Sequence, residues 1–220
     1  MTLPLIFDLC EPRQDILKGS IADSEYAANL ANVLTGRASP DYLEPEKFFS
    51  NTYPTAGLKQ LLANVCGRLS GNGESVSAVF RLDTSYGGGK THGLIALVHA
   101  ARGMGGVTNI AEFMSPALVP SRQVRVAAFD GENADPANGR LMGDGIRAKT
   151  PWGEIAYQLA GKPGYDIVRA SDEKGVAPGS NTIQELFGSE PVLIVLDEMG
   201  EYLRRVQFME GREQFTAFLK

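Results

Sequence analysis

The chain has 220 residues, of which 43% are apolar, and a formal net charge of −5 at pH 7; this is ample for the buried core of one large or two small domains. Acidic and basic residues are mixed along it, which excludes the bulk attraction of a basic domain for nucleic acid or anionic membrane. The only cysteines, Cys10 and Cys66, lie far apart without metal-type spacing, as expected of reduced thiols in a cytoplasmic protein rather than a disulfide scaffold. The start, "MTLPLIFDLCEP", has no basic segment and is interrupted by Asp8, so it does not read as a secretory signal. The apolar block "VLIVL" is too short to span a bilayer.

In chain order, "SEYAANLANVLTG" sets Ala27, Leu30, Val33 and Leu34 on one face, with Ser24 as N-cap and Gly36 as stop, and predicts an amphipathic helix. Thr55 is placed to cap "AGLKQLLANVCGRLSG", where Leu58, Leu61, Leu62, Val65 and Leu69 recur at helical spacing. Three short apolar runs predict strands: "VSAVFRL" (Val76 to Leu82), "QVRVAAF" (Gln123 to Phe129) and "PVLIVLDE" (Pro191 to Glu198). Helical patterns at Thr91 to Arg102, Trp152 to Leu159 and Ile183 to Phe187 separate them. Strands spaced by helices predict an α/β fold whose parallel sheet is covered on both faces. The stretch "GKPGYDIVRASDEKGVAPGSN" is rich in turn residues and reads as containing a mobile connection. The chain divides accordingly into an N-terminal helical extension, residues 1–74, and an α/β core, residues 75–220.

The first predicted strand runs into "DTSYGGGKTHG". A phosphate loop needs a strand before it and a helix after it, so that backbone N–H groups and a helix N-terminus converge on a polyanion. Against the Walker A spacing G-x-x-x-x-G-K-[ST], Gly89, Lys90 and Thr91 fill the last three places, while Thr84 stands where the first glycine is expected. Thr84, Ser85, Tyr86, Gly87, Gly88 and Gly89 would wrap the phosphates of ATP, with His92 at the helix start beside them. Lys90 is placed to bridge the β- and γ-phosphates and the Thr91 hydroxyl to ligate Mg²⁺. The plainer alternative is a glycine turn followed by a chance Lys-Thr pair.

The run "VLIVLDE" is an apolar strand that ends in two carboxylates, where unpaired charge would be costly to bury without a cation or polar partner. Neighbouring parallel strands share one C-terminal edge, so Asp197 and Glu198 can face the glycine loop as a Walker B pair. Asp197 suits the metal side and Glu198 the general base that activates water. Two acidic residues opening the helix "MGEYLRR" is the plainer reading. A P-loop kinase needs no water-activating glutamate at this point and is disfavoured.

The blocks "FFSNTYPTAGLKQLL", "TSYGGGKTH", "TPWGEIAYQL" and "PVLIVLDEMGEYL", in that order, resemble a family of large prokaryotic ATP-binding proteins catalogued as a domain of unknown function. That family is related to AAA+ ATPases and includes PglY of the phage-growth-limitation and BREX defence systems. The resemblance implies a P-loop NTPase fold of AAA+ type and a cytoplasmic ATPase in anti-phage defence. It also implies ATP and Mg²⁺ as ligands, with DNA, a methylase, a helicase or further copies of the chain as partners, and no membrane. Lys90 and Thr91 match its nucleotide-binding positions, and Asp197 and Glu198 its acidic strand end. Family members run to many hundreds of residues, so the chain is expected to be an N-terminal fragment that lacks sensor strand and lid and turns over slowly alone. A nucleotide-dependent scaffold or switch with little turnover is the competing expectation.

Other residues carry open alternatives. Asp130, Glu132 and Asn133 end the second predicted strand and read as a γ-phosphate sensor, a partner surface or a solvated turn. Tyr53 and Pro54 suit adenine packing or a core or loop role. His99 and Trp152 read as structural. Arg204 and Arg205 would reach DNA, a neighbouring subunit or only a helix surface.

Overall fold

Asn29 caps the helix that carries Leu30, Val33 and Leu34: its side chain accepts the Asn32 N–H at 2.9 Å, and α1 runs Leu30–Leu34. The structure, a computed structural model, describes residues 10–11, 17, 28–71, 77–83, 88–207 and 211–219, and the expected helix start at Ser24 lies outside them. Proline at the first helical position, where no N–H is required, opens α2 (Pro40–Leu43) and α3 (Pro45–Ser50). Thr55 caps α4 (Ala56–Leu69) as its position predicts, accepting the Leu58 N–H at 3.2 Å. There follow α5 (Lys90–Ala101), α6 (Ile110–Phe113), β1 (Arg125–Asp130), a short antiparallel pair of β2 (Arg140–Leu141) and β3 (Arg147–Ala148), and α7 (Pro151–Lys174). The described chain closes with α8 (Ser180–Phe187), β4 (Val192–Asp197), α9 (Met199–Arg205) and α10 (Gly211–Phe218).

Strands β1 and β4 pair in parallel, with Asp130 opposite Asp197 at the C-terminal end. Side chains alternate across a strand, and here both faces are apolar and both are covered. Val126, Ala128, Leu193 and Val195 pack with Leu30, Phe48, Leu62 and Ile95 of α1, α3, α4 and α5. Ala127, Phe129, Ile194 and Leu196 pack with Trp152, Tyr202 and Phe215 of α7, α9 and α10. The result is a mixed α/β arrangement with helices on both sides of a small parallel sheet. The helices before the glycine loop share one core with α5. On the second edge of β1, the Gln158 amide accepts the Ala128 N–H at 2.9 Å and donates to the Ala128 carbonyl at 2.7 Å, closing that edge with a side chain.

Two expectations need correction. Among the described residues the parallel sheet has two strands rather than three, because the described part of "VSAVFRL", Ser77 to Leu82, is not a strand. Ser77 Oγ accepts the Val79 N–H at 3.1 Å and donates to the Val79 carbonyl at 2.9 Å, so the groups a ladder would use are occupied locally. Val79 is 71% exposed. The turn-rich stretch after Leu159 is helical through Lys174, so the connection expected within it is confined to residues 175–179. Helix α7 bends sharply at Ala160 and Gly161, whose backbone angles are non-helical, and folds back on itself. Asp172 therefore meets Thr150, although 22 helical residues would span about 33 Å if straight. A buried stripe of Tyr165, Val168 and Asp172 holds the second half in place.

Candidate functional site

Helix α5 begins without the usual N-terminal chemistry. Gly89 at its N-cap lies in the left-handed region at φ 76°, makes no side-chain cap, and no acidic residue occupies the first turn. The residue that does occupy it is Lys90. Uncapped N–H groups and the positive end of the macrodipole favour an anion and disfavour a cation. A lysine at this point makes the helix start doubly demanding of negative charge. The Gly93 N–H already bonds the Gly89 carbonyl at 2.9 Å, so the first helical turn is formed.

The acid that meets this helix start comes from β4. Thr91 Oγ1 donates to Asp197 Oδ2 at 2.8 Å. Odd-numbered residues of β4, Leu193 and Val195, face α5, and Asp197 continues that parity to the strand's last position. Asp197 is 8% exposed, and its Oδ1 accepts the Glu198 N–H at 3.0 Å. Glu198 itself is exposed, occupies the N-cap position of α9 without a side-chain cap, and sits in the left-handed region at φ 47°. The structure thus brings together Thr91 and Asp197, 106 positions apart in the chain, with Lys90 and Glu198 as their chain neighbours. Gly88 and Gly89 are exposed at the same helix start, and Thr84, Ser85, Tyr86 and Gly87 lie outside the described residues.

His92 follows Thr91 by one position and turns elsewhere. Its ring stacks on Phe48 with centroids 4.5 Å apart, and its Nε2 lies 2.9 Å from Thr52 Oγ1. Burial holds this imidazole below the ordinary histidine range. His99 is similarly packed, with Nε2 2.8 Å from the Tyr42 carbonyl, and burial is again the main cause of its lowered pKa. Tyr53, next to Thr52, is 82% exposed. Arg204 pairs with Glu201 on its own helix. Trp152 is buried in the core. Asp130 closes a turn: Oδ1 accepts the Glu132 N–H at 2.9 Å, and Oδ2 accepts from Asn133 Nδ2 at 2.7 Å.

Sequence reasoning missed the support behind Glu198. A Cβ placed on Gly131 would lie 2.3 Å from the Glu198 carbonyl oxygen, so only glycine fits there. The signal available was a glycine directly after a strand end, in "FDGEN". Arg205, read as a surface or partner contact, instead bonds the backbone carbonyls of Gly131, Glu132 and Ala134.

Among the described residues no group of three or more His, Cys, Asp or Glu is gathered to hold a metal, and no helix is long and apolar enough to cross a membrane. The model of the DUF499 N-terminal domain matches residues 7–218. The chain belongs to the DUF499 family. No curated protein and no solved structure gave a significant match. In this DUF499 domain the matched range takes in the α5 start, the acidic end of β4 and both cores.

Proposed function

We propose that the chain binds ATP with Mg²⁺ at the N-terminus of α5 and hydrolyses it, with Glu198 as the general base. The observation that carries this is the 2.8 Å Thr91–Asp197 hydrogen bond, made at an uncapped helix start that bears Lys90. The donor set suits the ion. Mg²⁺ takes hard oxygen ligands, keeps several waters, and relies on one or two protein groups plus substrate phosphates rather than a full protein cage. Thr91 and Asp197 supply a hydroxyl and a carboxylate side by side, and because the Thr91 hydrogen points at Asp197, the lone pairs of Oγ1 point away from it.

Thr91 and Asp197 would hold Mg²⁺, which when bound neutralises phosphate charge and orients the transferred group. Lys90 and the first backbone N–H groups of α5 bind the phosphate oxygens and stabilise charge as it moves onto them. Asp197 fixes the Thr91 rotamer and, through the Glu198 N–H, ties the two carboxylate-bearing residues together. Glu198 is exposed and takes a proton from water on its carboxylate as that water attacks. The resemblance of the four sequence blocks supports a wider reading. In it, a P-loop core of AAA+ type powers a cytoplasmic anti-phage system of the BREX or phage-growth-limitation kind, with DNA, a methylase, a helicase or further copies of the chain as partners.

Fluorescent ATP titration in Mg²⁺ tests the proposal. Wild type should bind, and Lys90→Ala should bind about 10- to 100-fold more weakly, the range for hydrogen bonds to a charged group. Glu198→Gln should retain ATP while losing conversion to ADP. Equal ATP affinity for wild type and Lys90→Ala, or none for either, would remove the reading.

A further inference from the structure

Glu198 holds a backbone conformation, φ 47° and ψ 38°, that a residue with a side chain keeps only where its surroundings impose it. The surroundings here are the loop that follows β1. The Gly131 N–H donates to the Asp197 carbonyl at 2.9 Å, and the Gly131 Cα is pressed so close that a Cβ would stand 2.3 Å from the Glu198 carbonyl oxygen and 3.1 Å from Tyr202 Cβ.

That loop is itself gripped from behind. Arg205 Nη1 donates to the carbonyls of Gly131 at 2.8 Å, Glu132 at 2.7 Å and Ala134 at 3.0 Å. Arg140 Nη2 donates to the carbonyl between them, Asn133, at 3.3 Å. Four successive carbonyls, residues 131–134, thus face two guanidinium groups, while Asp130 closes the turn from the other side. Arg205 ends the helix that Glu198 immediately precedes. One short helix therefore presents the carboxylate at its start and anchors, at its end, the loop that abuts the Glu198 peptide.

We infer that Arg205 is a positioning residue for Glu198: acting through residues 131–134, it fixes the peptide from which the carboxylate projects. This rests on the ATPase reading above. Arg205 touches no reacting atom, so its effect passes entirely through Glu198.

Single-turnover conversion of ATP to ADP, with the chain in excess over ATP, tests it alongside equilibrium ATP affinity. Arg205→Ala should slow conversion about tenfold or more, since small misplacements of a catalytic group cost on that scale, and should leave the dissociation constant for ATP within about twofold. Arg205→Lys, which keeps the charge and has three donors on one nitrogen but a shorter reach than the guanidinium Nη1 that meets the three carbonyls, should fall between. In the Glu198→Gln background, Arg205→Ala should slow conversion no further, because the two act as one unit. Amide exchange at Gly131 should speed up in Arg205→Ala. An unchanged rate in Arg205→Ala and Arg205→Lys overturns the inference, as does an equal further slowing on top of Glu198→Gln. Rate and affinity falling together with cooperative unfolding would assign Arg205 to stability alone. Absence of Lys90-dependent ATP binding in wild type overturns the ATPase reading and this inference with it; Lys90-dependent conversion that ignores Arg205 overturns this inference only.

Discussion

Two aspartates in this molecule are nearly equally hidden, Asp172 at 1% exposure and Asp197 at 8%, yet their neighbourhoods are built to opposite ends. Asp172 accepts from the backbone of Lys149 and Thr150, the Thr150 hydroxyl and the Tyr165 hydroxyl. A carboxylate has roughly four lone-pair sites, and these donors saturate it. Asp197 accepts from one hydroxyl and one amide among the described residues, so about half its capacity is left at the sheet's C-terminal edge. A saturated buried carboxylate is a fastener, and one with spare acceptor sites next to a lysine-bearing helix start is equipped for a ligand.

Exchanging the side chains is the sharpest way to separate the two. Asp172→Ala leaves several donors without a partner and should cost about 3–5 kcal/mol of unfolding free energy. Asp197→Asn should cost under about 1 kcal/mol but lower ATP conversion by about 100-fold, the scale of losing a preorganised charge contact. Urea denaturation and ATP conversion, run on both variants, check the pair. Comparable destabilisation of both, or comparable loss of activity, would erase the distinction.

Gly153 tests how tightly the fastener is seated. In an exposed helix Gly→Ala stabilises by about 1 kcal/mol. Here the new Cβ would lie 2.2 Å from Asp172 Oδ1, and the carboxylate cannot retreat without releasing its donors. Gly153→Ala should therefore destabilise, by about 2 kcal/mol or more, read as a lowered urea midpoint.

Glu154 stands between the two extremes. It is buried, and its Oε2 lies 3.0 Å from Arg140 Nε. Burial pushes its carboxyl from 4.5 up to about 7, against the pull of Arg140 and with added repulsion from Asp172 and Asp130. The folded state thus holds the proton more tightly than the unfolded chain. The associated stability is present in full below about pH 4.5 and is lost as pH rises toward 7. Between those limits wild type should lose about 3 kcal/mol relative to Glu154→Gln, at 1.36 kcal/mol per pKa unit. His92 and His99, whose lowered pKa values come mainly from burial, act in the opposite sense below pH 6.5, and the comparison with Glu154→Gln cancels them. A flat difference between pH 4.5 and 8 would contradict the assignment.

The parts of this arrangement that announce themselves in the sequence are those with local signals. A glycine run before Lys-Thr, and an apolar strand ending in Asp-Glu, mark both halves of the Thr91–Asp197 contact, and strand β4 with its helices follows from periodicity. The misread parts depend on partners elsewhere. "VSAVFRL" has strand composition, but propensity becomes a strand only where a ladder is available, and the Ser77 side chain takes the backbone groups of Val79 instead. Gly161, Pro163 and Gly175 suggested a loop, while Tyr165, Val168 and Asp172 at i, i+3 and i+7 already carried the helical spacing that the fold uses. The grip of Arg205 on Gly131 spans 74 positions and has no local signature beyond the glycine itself.

Tyr165→Phe is the mildest test of the contrast between the two aspartates. It removes one donor of four, and the Tyr165 hydroxyl, 2.8 Å from Asp172 Oδ2, is the one that comes from Asp172's own half of α7, the others reaching it from across the bend. The ring, which carries most of the buried apolar area, is retained. The remaining donors, from Lys149 and Thr150, still satisfy both carboxylate oxygens, so no charge is left bare. The loss should be that of a single hydrogen bond to a charged acceptor, about 1.5–3 kcal/mol at most, and nearer the lower end because the other donors can tighten. ATP affinity and conversion should be unchanged, since Asp172 has no acceptor site to offer a ligand before the substitution and gains only one buried vacancy after it. A change in ATP conversion at full stability would mean that the bend in α7 communicates with the end of β4, and the separation of fastener from site would have to be given up.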